Sequence, residues 1–84
     1  MNIRQRRLLL LLDTFIKEHG RRPSITELAR ASEGHDMGTA DDINDMRNLG
    51  FVYTERTWSG SSSMVVSSLT PKAEKLMPRV RELA

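Results

Sequence analysis

Between Gly20 and Val52 the chain reads GRRPSITELARASEGHDMGTADDINDMRNLGFV, and the punctuation of this stretch leaves few ways to fold. Ser24 and Glu27 form an S-x-x-E capping box just past Pro23, which predicts a helix from about Ile25 with two orphan amides satisfied. Ile25, Leu28 and Ala29 share one face of that helix. Glu33 to Gly38 brings two glycines together with His and Asp, so the helix cannot run on through it. A second helix is expected beyond, capped by Thr39, with Ala40, Ile43, Met46 and Leu49 turned inward. Asp41 and Asp42 would then lie in its first turn, where the helix dipole favours acids. Gly50 sits where a left-handed residue ends a helix, and Phe51, Val52 and Tyr53 turn β-like. The outcome is two short helices joined by a tight turn, with a strand directly behind the second.

The flanks complete a small layered body. A first helix is expected from Ile3 to His19, with Leu8, Leu11, Leu12, Phe15 and Ile16 as its apolar stripe. Leu9 lies at the edge of that stripe and Leu10 opposite it, among Arg6, Asp13 and Lys17; the pair reads either as stray surface leucines or as a contact for a second copy. His19 fits a helix C-terminal residue favoured by the dipole. Arg21 and Arg22, beside the next helix start, fit either solubility or a phosphate contact, and Ser24 and Thr26 add hydroxyls there.

Downstream, 51–58 and 63–69 are rich in Val, Thr and aromatics, with SGSSS between them as a flexible loop, which makes a two-stranded hairpin. Alternation puts Val52, Thr54, Arg56 and Trp58 on one side and Tyr53, Glu55 and Thr57 on the other. Ser61 and Arg56 can serve phosphates or solvent, and Trp58 either closes on the core or anchors a partner. Thr70-Pro71 opens a last helix presenting Ala73, Leu76 and Met77, which Pro78 is expected to kink or interrupt.

These segments carry a family resemblance. GRRPSITELARA resembles the G-x-P-P-(S/T)-x-x-E-(I/L)-A stretch of the DNA-binding domain of LexA repressors, and LGFV resembles the way that family leaves its recognition helix. LTPKAEKLM is similar to the L-T-(P/E)-K-G-x-x-L segment that follows the wing in MarR-type and PadR-type regulators. Together the matches span residues 8–77. There is no counterpart of the LexA protease domain, and Gly34 to Gly38 departs from the family's turn.

The resemblance implies an α+β winged helix-turn-helix with three helices, a two-stranded wing and a C-terminal helix, plus a short extra strand between the first two helices. It would be one domain over 1–84, with the helix-turn-helix at 24–50, the wing at 51–69 and the closing helix at 71–83. It further implies sequence-specific binding of double-stranded DNA in transcriptional regulation, as a homodimer or beside another subunit. The third helix would enter the major groove through Thr39, Asp41, Asn44, Asp45 and Asn48. Arg21, Arg22, Ser24, Thr26, Arg56 and Ser61 would meet the backbone, and Leu9, Leu10 and Trp58 would be available for dimer contacts.

Charge opens a second reading. The net charge of +2 is unevenly spread: residues 1–30 sum to +4, residues 31–50 to −4 and residues 51–84 to +2. Carboxylates on a helix facing phosphates are unfavourable at long range, although Asn can pair with adenine and Asp can accept from cytosine. Arg47, near the edge of the inner face, fits a salt bridge or a phosphate contact. The alternative is a small protein-binding winged helix, a phage or mobile-element accessory factor, that docks its acidic third helix on a basic protein surface.

Other classes find no support. The 84 residues contain no cysteine, nucleotide-binding glycine motif or arranged acid–base pair, so no enzyme, cofactor or metal site is expected. The apolar run Leu8 to Leu12 is too short for a signal peptide or a membrane span, and a cytoplasmic protein is expected.

Overall fold

The computed structural model describes residues 2–83. The order is α1 (Ile3–His19), α2 (Ile25–Ala31), α3 (Asp36–Asn48), β1 (Val52–Ser59), β2 (Ser62–Leu69) and α4 (Pro71–Leu83). This is the winged helix-turn-helix topology that the sequence implies.

α1 starts on a capping box of its own: the Asn2 side chain accepts from the Gln5 amide at 2.8 Å, and the Gln5 side chain accepts from the Asn2 amide at 3.1 Å. Its buried arc is Gln5, Leu8, Leu9 and Leu12, rotated from the expected stripe. The reason is that α2, β2 and α4 all lean on α1, so most of its girth is covered. Leu9 is 0% exposed and therefore cannot be a dimer contact, a correction to the sequence reading. Leu10 is half-buried and leans on the core, so little of it is left for a partner.

α2 carries the expected cap, with the Ser24 hydroxyl accepting from the Glu27 amide at 3.2 Å. It ends in a Schellman turn: Gly34 N–H donates to Ala29 O at 2.8 Å and Glu33 N–H to Arg30 O at 3.2 Å. The left-handed position is filled by Glu33, at φ 57°. α3 starts directly after this turn, three residues earlier than Thr39, and takes Gly38 into its first turn. The N-cap is His35, without a side-chain hydrogen bond, so Thr39 is no cap and Asp41 and Asp42 lie beyond the first turn, where the dipole no longer accounts for them.

Thr39, Ile43 and Met46 make the buried side of α3, whereas Leu49, expected inside, is exposed at its C-cap. α3 closes with the same hydrogen-bond pattern as α2, here around Gly50 at φ 82°, with Phe51 N–H bonded to Met46 O at 2.9 Å.

The hairpin is antiparallel, in register from Val52↔Leu69 to Ser59↔Ser62. Its turn is only Gly60-Ser61, tighter than the expected loop; Gly60 takes φ 64°, as the first central residue of a type II′ turn requires. The extra strand is reduced to a bridge between Ser24 and Val66, backed by Ser67 N–H to Pro23 O at 3.0 Å.

Thr70 joins the two halves. Its hydroxyl donates to Gly50 O at 2.6 Å and accepts from the Ala73 amide at 3.2 Å, capping α4 while holding it to the end of α3. α4 runs through Pro78 without interruption, so the shorter helix with a separate final turn does not occur. Pro78 and Glu74 are both exposed, so water can serve the Glu74 carbonyl that the proline leaves without a donor. Ala73, Met77 and Val80 bury the inner side of α4, and the Ala73 and Met77 side chains join Leu8, Leu9, Leu12, Leu28, Ile43, Met46 and Val52 in one core.

Candidate nucleic-acid interface

α3 is anchored by Ile43 and Met46, which turns Asp41, Asn44, Asp45, Arg47 and Asn48 outward into solvent. Four of the five side chains expected to face a partner are therefore on one exposed surface. The fifth, Thr39, is 5% exposed and looks into the body of the protein, so it is withdrawn from the set that could reach a base. Asp42 is held by Arg4 at 2.8 Å. Asp41 and Asp45 form no ion pair among the described residues, and their charges stand free on the outer face.

A groove of about 350 Å³ separates α3 from the hairpin. Asn44 and Arg47 line it from α3, Thr54, Glu55, Arg56 and Val65 from the strands, and the Glu55 carboxylate is paired with Arg22. Arg56 donates to the Ser63 hydroxyl at 2.9 Å across the hairpin. Neither Arg47 nor Arg56 has a carboxylate partner among the described residues. In the sequence Arg47 fits either a salt bridge or a phosphate contact, and the signal for Thr54 is the alternation that groups it with Arg56 and Trp58. Trp58 is 68% exposed near the hairpin tip, so the reading in which it closes on the core is overturned.

The basic pair before α2 is placed differently. Arg21 grips both Glu27 oxygens, at 2.9 and 2.6 Å, and its guanidinium lies 5.1 Å from the centroid of the Phe15 ring, on which His19 stacks. The hydrogen bonds from Arg21 outweigh desolvation and, with Ser24, hold the Glu27 carboxyl at about 2 against an ordinary 4.5; Arg21 is raised in turn. Arg22 pairs with Glu55 on the far side of the hairpin.

The Ser24 hydroxyl is engaged as the cap of α2. Thr26 is exposed on the first turn of α2, and Ser61 is exposed at the hairpin turn, remote in sequence from the Arg21–Glu27 pair. The structure thus separates two basic patches, one at 21–22 neutralised by its neighbours and one at Arg47 and Arg56 that is not.

No group of three or more His, Asp or Glu among the described residues could hold a metal ion, and no described helix is long and apolar enough to cross a membrane.

No protein-family model matches the chain, and no curated protein matches it. Solved structures do. The adhesin competence repressor AdcR of Streptococcus pyogenes superposes with a TM-score of 0.76 at 17% identity, covering 98% of this chain and 56% of that one. A MepR mutant from a multidrug-resistant S. aureus clinical isolate gives 0.78 at 12%, covering 99% and 56%. A MarR family protein of Bacillus stearothermophilus gives 0.67 at 20%, covering 98% and 52%. The chain thus spans a little over half the length of each and shares with all three the winged helix-turn-helix fold.

Proposed function

With the winged helix as premise, we propose that residues 1–84 form one DNA-binding domain of a transcription regulator, cytoplasmic and dimeric on its operator. α3 and the hairpin together meet duplex DNA: Asn44 and Asn48, with Asp41 and Asp45, face base edges, and Arg47 and Arg56 meet phosphates. The observation that carries this reading is the groove between α3 and the hairpin, where two arginines without carboxylate partners among the described residues border an exposed, hydrogen-bonding helix face. The test is fluorescence anisotropy with random duplex DNA across a salt series. Affinity should fall steeply with salt, with a log–log slope near −0.9 per phosphate contacted. Asn44→Ala or Asn48→Ala should alter preference at about one base pair. Absence of binding at low salt would sink the proposal, and sedimentation with and without operator tests the dimer.

One observation favours a second reading, a protein-binding module with a basic partner. Asp41 and Asp45 stand exposed without an ion-pair partner among the described residues, while Arg21 and Arg22, the cations that would have offset them near DNA, are engaged elsewhere. Asp41→Asn combined with Asp45→Asn separates the two: the double change should strengthen DNA binding on the first reading and weaken partner binding on the second.

A further inference from the structure

We propose that Trp58 is a base-stacking residue, and that the hairpin consequently prefers DNA carrying an unpaired base beside duplex over fully paired duplex. The inference rests on the DNA-binding reading above and adds the kind of DNA that the site favours.

Trp58 is the largest side chain of the protein, and 68% of it lies in water. Among the described residues its indole makes no ring or cation contact. An indole left this open has its flat face available to a partner.

Its surroundings identify the partner. Trp58 stands opposite Ser63 in the register, and the Ser63 hydroxyl is the one that accepts from Arg56 at 2.9 Å, which ties the cation to the residue facing Trp58. Thr54, Arg56, Trp58, Ser63 and Val65 share this side of the hairpin and include no carboxylate. Glu55 belongs by register to the other side and is paired with Arg22. Exposed serines at 59, 61, 62 and 63 surround the tip with hydrogen-bond donors. A flat ring, an uncompensated arginine and a fringe of hydroxyls are the components that track a nucleic-acid strand, with the ring taking a base and the cation a phosphate. Asp41 and Asp45, exposed on α3 outside the groove, repel phosphates, which favours a backbone path along the hairpin.

The state of the base follows from geometry. Paired duplex shows only base edges in its grooves, and base faces are hidden in the stack. A mismatched, extruded or single-stranded base offers its face at little cost.

Trp58 is the only tryptophan, so its emission reports on this ring alone. The experiment titrates the protein with a blunt duplex and with the same duplex carrying a short single-stranded tail, following Trp58 emission and the anisotropy of labelled DNA. The tailed duplex should quench Trp58 and bind about tenfold tighter than the blunt one. Trp58→Ala should bring the tailed duplex down to blunt-duplex affinity, and Trp58→Phe should retain part of the preference. Circular dichroism checks that both variants are folded. Equal affinities for the two DNAs, a silent Trp58, or a preference that survives Trp58→Ala would overturn the proposal. So would Trp58 emission that shifts with protein concentration in the absence of DNA, which would assign the ring to a contact between two copies. If blunt duplex binds with a salt slope and Trp58 stays silent, only this inference fails. If neither DNA binds, the DNA-binding reading fails and this one with it.

Discussion

α3 and the hairpin border one groove but bring opposite chemistry to it. The outer face of α3 carries Asp41 and Asp45, outside the groove lining and with no ion-pair partner among the described residues, and its hydrogen-bonding groups are the amides of Asn44 and Asn48. The hairpin brings Arg56, hydroxyls and an open indole, and Arg47 reaches the same groove from the edge of α3. On the proposed reading, attraction to the DNA backbone is concentrated at Arg47 and Arg56, while α3 contributes discrimination at the cost of some repulsion. The linker before α2 sharpens the contrast. Arg21 and Arg22 are as basic in sequence as Arg47 and Arg56, yet Glu27 and Glu55 neutralise them. What a cation can do for DNA depends on whether its charge is already matched.

The largest expected effect separates the two sides of α3 itself. Ile43→Ala should cost about 2–5 kcal/mol in denaturant unfolding, since Ile43 is buried in the core, whereas Asn44→Ala beside it should stay within about 0.5 kcal/mol. Comparable losses at both positions would show that α3 is not seated as described.

Next in size, Arg47→Ala and Arg56→Ala should each reduce the salt slope by about one and lower affinity for every duplex alike. Arg21→Ala should do less than either, because Glu27 already holds its charge. An Arg21→Ala loss equal to the Arg56→Ala loss would remove the distinction between the two basic patches.

Much of the scaffold was legible because local signals agreed. The Ser24–Glu27 box, Gly50 and Thr70-Pro71 each mark a boundary that the structure keeps, and the alternation along β1 assigns its two sides. The errors arose where tertiary contacts decide. Glu33 in the left-handed position ended α2 without glycine, which let α3 begin early and took Thr39 inside. The covering of α1 on several sides rotated Leu9 into the core, which helical periodicity alone could not show. Ion pairs between residues distant in sequence, Arg22 with Glu55 and Arg4 with Asp42, were equally hidden, so the free cations of the site could not be told from the engaged ones.

A smaller effect tests the acidic side of the comparison. Asp41→Asn with Asp45→Asn should tighten duplex binding a few-fold at low salt, and the gain should fade as salt screens it. Weaker DNA binding would mean that the carboxylates accept hydrogen bonds from bases, and the repulsive role given to them here would fall.

The smallest expected effect tests whether pairing silences Arg21. The Glu27 carboxyl lies at about 2 in the folded protein against an ordinary 4.5. Between those values the unfolded chain binds the extra proton and the folded one does not, so stability falls as pH falls through that window. The pair lies at the surface, where solvent screening keeps its contribution small. Asp13 adds to the same trend: burial pushes it up, but hydrogen bonds from Lys17 and Arg81 more than offset this and leave it below the usual range. Glu27→Gln should therefore flatten the acid limb of stability only in part, and glutamine can still close the capping box. The same variant frees the charge of Arg21 at neutral pH. Its salt slope on random duplex should steepen slightly, bringing the linker closer to the behaviour of Arg56. A slope identical to that of the unaltered protein would mean that Arg21 is either too far from the DNA to matter or never silenced by Glu27. Arg21→Ala in the Glu27→Gln background decides between the two, since only a cation within reach of phosphates can lose affinity on removal.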